Sequence, residues 1–334
     1  MVVGKVRSKI IRVFIVSILF IEIFQLFSMK EEKYSSRKAG ITVIVPIAST
    51  GYWSRIADEI TGVCEEDNID VKCVGFQKAD VEKQIKAIQC AIWSGTKGII
   101  TAGIEDTDEI REIFVEATEK NIPVVLIDSD LPESGRACYV GTDNYKAGKI
   151  AGEELIRVSK TKEKGKILVI VSDLDNRNQK ERVEGFCSVI NQYKDMFVEE
   201  IFEGNSNEVY IQDNVSKILK ENPDINGIYC AEGYGTDCIS RLKKDSPKIL
   251  KNISIVGFDG DMECEEYLKD GSLDVDIQQD TWTIGRKSAE TLINLLENSN
   301  FNALDTYTDV ECIYPDNYKK IETYYIGETT WHIY

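Results

Sequence analysis

The 334-residue sequence lacks most of the side-chain patterns on which enzymes and metalloproteins depend. His332 is the only histidine, the cysteines form no CxxC pair, and neither a glycine-rich phosphate loop nor a nucleophile elbow is present. The chain also lacks a basic arm, and its formal net charge of −17 repels phosphate groups. From these absences we expect no enzyme activity, no metal or other cofactor, and no nucleic-acid partner.

The first 38 residues contain an export signal or a membrane anchor, followed by a polar spacer. Four basic residues, the last of them Arg12, precede the apolar run VFIVSILFIEIFQLF. This order keeps the start of the chain in the cytoplasm, so the remainder faces outward. The run is followed by no small-residue cleavage site and no cysteine for a lipid, which favours an uncleaved anchor; a cleaved signal is the alternative. The predicted location is the cell membrane, with an extracytoplasmic binding domain.

The number of cysteines, nine, is unusual for an exported chain, because an odd number cannot all pair in disulfides. Most occupy apolar positions in predicted strands and helices, as in VKCVGF and GIYCAE, which indicates small core residues. Our hypothesis is that the protein works in a reducing exterior, such as that of an anaerobe. The nine are Cys64, Cys73, Cys90, Cys138, Cys187, Cys230, Cys238, Cys264 and Cys312.

From residue 40 onward, apolar strands alternate with amphipathic helices. Ile56, Ile60 and Val63 recur at helical spacing in the first helix, and Asp80 is placed to cap the second. Strands that are apolar throughout, separated by helices, predict parallel sheets covered on both faces. The predicted strands are ITVIVPI, VKCVGF, GIIT, VVLID, KILVIVSD, VEEIFE, GIYC, ISIVGFD and DVDIQ.

These strand–helix units are too many for a single sheet of ordinary size. We therefore expect the chain to divide into two parts within ACYVGTDNYKAGKIAGEEL. A short strand there meets a helix start with Asp143 and Asn144 near the cap. The helix contains Gly148 and Gly152, four residues apart. This spacing predicts that the helix is pressed closely against another element.

Polar side chains follow most of the predicted strands, and ligands of open parallel sheets bind beyond these carboxyl ends. Carboxylates and amides match the hydroxyls of a sugar, and aromatic rings match its apolar face. The pattern therefore predicts a site for a small polyhydroxylated ligand. The strand-end residues are Tyr52, Trp53, Asp128, Ser172, Asp173, Asp175, Asn176, Arg177, Glu232, Asp259 and Gln279.

A structural explanation stays open for each of these residues. Aspartates at strand ends often serve only as helix caps or turn residues. Tyr52 and Trp53 are also suited to covering the core. Lys180 and Arg182 in NQKERVEGF, judged alone, are typical of solvated helix charges.

These segments, in this order, resemble the type I periplasmic sugar-binding proteins, the ribose- and galactose-binding group that serves ABC transporters. The resemblance extends over residues 40–325 and runs through ITVIVPIASTGYWSRIADEI, IPVVLIDSD, YVGTDNYKAGKIAGEEL, KERVEGF, ISIVGFDG and DGSLDVDIQQDTWTIG. Repressors with a similar ligand domain begin with a DNA-reading helix pair. The export segment in that place excludes a repressor.

The resemblance implies an α/β fold with two Rossmann-like lobes built on parallel sheets and a ligand cleft between the lobes. Three crossings form the hinge, near Thr142, near Gln279 and around residues 303–306. The first lobe is expected to contain residues 39–142 and 280–304. The second lobe is expected to contain residues 143–279 and 305–334.

The resemblance also assigns roles to single residues. It implies stacking by Tyr52 and Trp53, hydroxyl binding by Asp128, an FD contact pair and a hinge glutamine. Ser129 and Ala102 stand where the pentose binders keep arginine and asparagine, so ribose, phosphorylated sugars and acidic sugars are not the expected ligands. With Glu232 in a usual asparagine position and Lys180 in a usual arginine position, the predicted ligand-binding residues are Thr50, Tyr52, Trp53, Asp128, Lys180, Glu232, Phe258, Asp259 and Gln279.

The sequence thus predicts a monomeric, membrane-tethered receptor that gives a neutral sugar or related polyol to an ABC permease. A sensor that reports to a membrane kinase is the first alternative. An amine-bearing ligand is the second, because crowded carboxylates and ring faces also suit a cation. Hydrolysis of a glycoside by Asp128 and Asp259 is a third.

Overall fold

The computed structural model describes residues 38–48, 50–160, 164–261, 263–298, 300–318 and 330–333. The predicted N-terminal anchor lies outside these residues. Among the helices in these ranges, none has the length and apolar character needed to cross a bilayer. The strands are β1 Lys38–Val45, β2 Ile69–Gly75, β3 Ile99–Ala102, β4 Val124–Ile127, β5 Cys138–Thr142, β6 Lys164–Val171, β7 Asp195–Glu203, β8 Ile225–Cys230, β9 Ser254–Phe258, β10 Val275–Gln279, β11 Thr306–Thr308, β12 Val310–Ile313 and β13 Trp331–Ile333. The helices are α1 Gly51–Glu66, α2 Val81–Trp93, α3 Asp108–Glu119, α4 Asn144–Val158, α5 Arg177–Ile190, α6 Glu208–Glu221, α7 Gly233–Asp245, α8 Cys264–Asp270 and α9 Thr281–Glu297.

The strands form two sheets, one in each lobe. The first has the order β11-β5-β4-β3-β1-β2-β13 and is parallel throughout. The second has the order β12-β10-β9-β8-β6-β7, with only β12 antiparallel. Each sheet buries apolar side chains under helices on both faces. The predicted α/β fold of two parallel-sheet lobes is confirmed.

The helices follow the apolar periodicity of the sequence. Ile56 and Ile60 of α1 are fully buried against β1 and β3, because their spacing places them on one face. Asp80 caps α2 as expected, and its Oδ1 accepts a hydrogen bond of 3.0 Å from the backbone nitrogen of Lys83. Local sequence and tertiary packing agree in these two helices.

The chain passes from the first lobe to the second between β5 and α4, and it returns between β10 and α9. A later passage lies between Thr308 of β11 and Val310 of β12, beyond the range 303–306 expected from the sequence. Of residues 305–334, which the sequence assigns to the second lobe, β12 does pair within the second sheet, whereas β11 and β13 do not. Both β11 and β13 pair with strands of the first sheet, and Trp331 packs over Gly75 in that lobe.

Helices α4 and α5 of the second lobe touch through glycine, as the spacing of Gly148 and Gly152 predicts. A methyl group on Gly148 would lie 1.9 Å from the carbonyl oxygen of Arg182, and one on Gly152 would lie 2.9 Å from Val189. Gly185 of α5 meets α4 in the same way. This contact fixes the position of α5, which carries part of the site described next.

The cysteines occupy mostly interior positions. Six are buried, Cys187 and Cys312 are half-buried, and Cys90 is exposed; all nine are free thiols. Burial raises the pKa of Cys73 to about 11, because the thiolate would lose hydration. The interior positions agree with the interpretation of most of these residues as small core side chains.

Candidate functional site

A polar cluster forms where strand ends of both sheets meet the start of α1. The Tyr52 hydroxyl donates to Asp128 Oδ1 at 2.9 Å and accepts from Gln279 Nε2 at 3.1 Å. Gln279 Nε2 also donates to Asp259 Oδ2 at 2.6 Å, and the Gln279 backbone nitrogen donates to Asp259 Oδ1 at 2.9 Å. The cluster therefore joins the first lobe, the second lobe and the crossing between β10 and α9.

Asp128 and Asp259 share an uncommon backbone conformation directly after their strands. Their φ angles are +63° and +50°, in the left-handed region that side chains other than glycine seldom occupy. Aspartate tolerates this region better than most residues. Strained positions of this kind are frequent where a side chain is held for binding or catalysis. The two turns bring both carboxylates into the cluster.

Two residues of α5 complete the cluster. Asn178 Nδ2 donates to Asp128 Oδ2 at 2.9 Å, so this hydrogen bond links the two lobes directly. One helical turn later, the side chain of Arg182 is 2% exposed. Its charge lies close enough to Asp128 and Asp259 to oppose the rise that burial causes in the pKa of both carboxyl groups.

Arg182 is held from three directions. Its Nε donates to Asn144 Oδ1 at 2.8 Å, and its Nη1 donates to the carbonyl oxygen of Ala231 at 3.0 Å. The guanidinium lies 3.8 Å from the centre of the Phe258 ring, in a cation–π contact. Its buried Nη2 has no hydrogen-bond partner among the described residues. Such an orphaned donor indicates a missing acceptor, as a ligand or a water molecule would supply.

Burial dominates the electrostatics of the cluster. It raises the pKa of Asp128, Asp259 and Glu232, and Arg182 opposes the rise in each case. The pKa of Tyr52 is also raised far above its usual value by burial and by the neighbouring Asp128. Tyr52 therefore keeps its proton and donates a hydrogen bond to the Asp128 carboxylate.

Four predicted site residues take other positions. Thr50 caps α1, and its hydroxyl accepts from the Trp53 backbone nitrogen at 3.4 Å. Trp53 is 7% exposed in the first-lobe core and meets Tyr52 edge-on at 5.0 Å. Glu232 caps α7, where its carboxylate accepts backbone hydrogen bonds from residues 234 and 235. Lys180 is exposed on α5, and within the described residues its side chain makes no bond to the cluster.

Arg182, two positions after the predicted Lys180, is a buried basic residue that the structure brings to the cluster. Its position on α5 is set by helical periodicity, because Arg182, Phe186 and Val189 recur at intervals of four and three. Asn178 lies on the same face, four residues before Arg182, and also escaped the sequence prediction. Counting back from Phe186 would have identified both.

The cluster can bind a small ligand rich in hydroxyl groups. It offers carboxylate acceptors, an amide, a phenol ring and one guanidinium, with the aromatic packing of Trp53 behind Tyr52. Among the described residues, no group of histidine, cysteine or acidic side chains has the arrangement of a metal site.

Comparisons with known proteins agree with this arrangement. A model of the periplasmic binding protein domain matches residues 41–300. The chain is similar to the ribose import binding protein of Escherichia coli (strain K12), with 24% identity over 221 residues, which are 66% of this chain and 73% of that protein. It is similar in structure to GanP, a glucose-galactose binding protein from Geobacillus stearothermophilus, with TM-score 0.78, 28% identity and coverage of 84% and 99% of the two chains.

A further solved structure, the XylFII–LytSN complex, matches with TM-score 0.75 and 26% identity, over 84% of this chain and 99% of that chain. These findings confirm the resemblance noted in the sequence. Since the family model covers well over half of the residues, this chain belongs to the periplasmic binding protein domain family, within its group of sugar-binding ABC transporter solute-binding proteins.

Proposed function

We propose that this protein captures a neutral sugar or related polyol between its lobes and delivers it to an ABC permease outside the cytoplasm. The observation that carries the proposal is the convergence of Tyr52, Asp128 and Asp259 on one cluster that spans both lobes. A sugar there replaces hydrogen bonds within the cluster by bonds to its own hydroxyls. The protein acts as a monomer tethered by its N-terminal segment, and binding needs no cofactor.

The charge of the cleft favours a neutral ligand. Asp128 and Asp259 already have Arg182 beside them, and both oxygens of each carboxylate accept from neutral donors. A cationic ligand would have to share these carboxylates with the guanidinium. An amine-bearing sugar is therefore the less favoured alternative.

The roles of the residues follow from their positions. The ring of Tyr52 stacks on the apolar face of the sugar, and Trp53 holds that ring from behind. Asp128 and Asp259 accept hydroxyl hydrogen bonds, while Nη2 of Arg182 donates one. Closure of the lobes then excludes water and strengthens these bonds.

Isothermal titration with D-ribose, D-galactose, D-glucose and D-galactosamine tests the proposal. We expect a neutral sugar to bind and Asp259→Ala to weaken it at least tenfold, a loss of about 1.4 kcal/mol. Lys180→Ala is the matched control, since Lys180 is exposed on the helix that carries Arg182. Undiminished binding by Asp259→Ala would refute the assignment. A preference for galactosamine that grows at low salt would support the amine alternative.

A sensory role is the second candidate. The similarity to the XylFII–LytSN complex favours it, because a chain of this fold was solved there with a second protein. In that case the sugar-bound state would be reported to a membrane kinase, and transport would be left to other proteins.

Deletion of the gene in its own organism separates the two candidates. Loss of sugar uptake would support delivery to a permease. Unchanged uptake with loss of the transcriptional response to the sugar would support sensing. A neighbouring permease gene would likewise support delivery, and a neighbouring kinase gene would support sensing.

A further inference from the structure

A contact between the lobes lies beside the polar cluster, where the start of α1 meets the loop after β9. The backbone nitrogen of Gly51, in the first lobe, donates a hydrogen bond of 3.5 Å to Oδ2 of Asp261, in the second lobe. Gly51 directly precedes Tyr52, and Asp261 follows Asp259 by two positions. We propose that Asp261 is a positioning residue, which holds the two lobes together at Gly51 and thereby sets the sugar affinity without binding the sugar.

Charge strengthens the contact between Gly51 and Asp261. A methyl group on Gly51 would lie 2.7 Å from Asp261 Oδ1 and 3.2 Å from Arg55 Nη1, so the carboxylate and the guanidinium stand beside the same point of α1. Arg55 is one helical turn after Gly51 and belongs to the first lobe. Opposite charges on the two sides of the lobe boundary attract each other. The first turn of α1 adds to this attraction, because its backbone N–H groups favour a negative charge.

The loop that carries Asp261 is fixed to the second lobe. The Asp261 backbone nitrogen donates to Asp237 Oδ1 at 3.3 Å, and the Asp261 carbonyl oxygen accepts from the Cys264 nitrogen at 2.9 Å. The nitrogen of Gly260 lies 3.2 Å from each carboxylate oxygen of the buried Asp276 and donates to them. Separation of the lobes would therefore break the contact to α1 and leave these bonds in place.

The position of the contact predicts its effect on the sugar site. It joins the two chain segments that carry Tyr52 and Asp259, which belong to opposite lobes of the polar cluster. A contact that is lost when the lobes separate favours the arrangement seen here, and a sugar that binds this arrangement gains affinity. The effect on affinity rests on the proposed function; the effect on lobe separation does not.

The lack of a side chain at position 51 leaves room for the carboxylate. Since a methyl group there would lie 2.7 Å from Asp261 Oδ1, Gly51→Ala must displace the carboxylate or move the lobes apart. The backbone of Gly51 is helical and lies outside the left-handed region, so alanine is compatible with it. We therefore expect Gly51→Ala to weaken the contact without lowering the urea concentration at which the protein unfolds.

Small-angle scattering without ligand tests the contact directly. Asp261→Ala and Gly51→Ala should each increase the radius of gyration. Calorimetric titration with D-galactose and D-glucose should show affinity lowered about fivefold in both variants. Gly62→Ala is the matched control, because it adds a methyl group to the same helix with nothing within 4 Å, and it should change neither quantity.

A salt series tests the contribution of charge. Raising sodium chloride from about 50 mM to about 500 mM screens the attraction across the lobe boundary. Binding of these neutral sugars should therefore weaken in the parent protein more than in Asp261→Asn. Equal salt dependence in the two proteins would overturn the contribution of charge.

The outcomes are distinguishable from failure of the sugar proposal. An unchanged radius in Asp261→Ala, or equal radii in Gly51→Ala and Gly62→Ala, would overturn the role of the contact. A changed preference between D-galactose and D-glucose in Asp261→Ala would mean that Asp261 binds the sugar, and this would overturn its positioning role. A larger radius in a variant of a protein that binds neither sugar would support the contact and refute only its effect on affinity.

Discussion

Asn178 of the second lobe donates a hydrogen bond to Asp128 of the first lobe, across a distance of 2.9 Å. The residues lie in different lobes and are fifty positions apart in the chain. Their bond joins the two lobes directly, so separation of the lobes would break it. It therefore contributes to the free-energy difference between the open and closed states.

We predict that Asn178→Ala moves the lobes of the unliganded protein apart and weakens sugar binding. A hydrogen bond to a charged group contributes about 1.5–3 kcal/mol, so the dissociation constant should rise about tenfold or more. Small-angle scattering should show a larger radius of gyration without ligand. Lys180→Ala, two residues away and exposed, should change neither quantity. An unchanged radius and affinity in Asn178→Ala would contradict the role of this bond.

Gly148→Ala should destabilise the protein through the contact between α4 and α5. The new methyl group would lie 1.9 Å from the carbonyl oxygen of Arg182, so the helices must separate. We expect a loss of about 3 kcal/mol in the free energy of unfolding, measured in urea. Weaker sugar binding should accompany it, since the shift displaces Arg182.

Gly62→Ala is the matched control for that substitution. Gly62 lies within α1, and nothing stands within 4 Å of the added methyl group. Alanine there should stabilise the protein by about 0.5–1 kcal/mol, because it restricts the unfolded chain. If both variants changed stability equally, the close packing of α4 on α5 would not be the cause.

Asp237→Asn should make stability less sensitive to alkaline pH. Burial raises the pKa of Asp237 to about 8, and that of Asp276 to about 7. Above about pH 4 the Asp237 carboxyl loses its proton in the unfolded chain but keeps it in the folded protein. The free energy of unfolding therefore falls progressively as the pH rises, and it stops falling above the folded pKa. Asparagine keeps an acceptor for the Asp261 backbone nitrogen without the buried charge.

Urea unfolding at about pH 5 and about pH 9 measures this effect. The difference between the two free energies should shrink in Asp237→Asn by on the order of 3 kcal/mol. Asp195→Asn, at the exposed start of β7, is the control and should leave the difference unchanged. An equal difference in Asp237→Asn and the parent protein would contradict the raised pKa of the half-buried Asp237.

Thiol titration should distinguish Cys90 from the other cysteines. Cys90 is exposed, whereas burial raises the pKa of Cys64 to about 12 and that of Cys73 to about 11. Because the thiolate is the reactive form, one thiol should react rapidly in the native protein. Cys90→Ser should remove that fast phase, and the denatured, unreduced protein should titrate nine thiols. Disulfides in protein isolated from its own organism would contradict the hypothesis of a reducing exterior.

Strand ends were the most predictable part of the site. Asp128, Asp259 and Gln279 each follow or end an apolar run, and a parallel sheet gathers such ends along one edge. The sequence could not show that Tyr52 and Gln279 bond to each other, because the contact joins residues 227 positions apart. Contacts of that separation depend on the mutual orientation of the lobes.

The differences between the predicted and the described positions of these side chains have local physical causes. Lys180 and Arg182 are both basic and close in sequence, and only their helical phase separates a solvated charge from a buried one. The resemblance implies equal stacking roles for Tyr52 and Trp53. Successive residues of a helix point about 100° apart, however, and the side chain of Trp53 enters the core. The strand β13 is too short to predict, since three residues carry no period.

The first lobe is built from distant parts of the chain, and this has a consequence for synthesis. Its core needs Ile284, Leu292 and Ile293 of α9, which pack against α1 and β1. Residues 143–279, which form most of the second lobe, leave the ribosome before that helix does. Of the second-lobe core only β12 is still missing at that point, so most of this core can form during translation. The lobe that is translated first is therefore the one completed last.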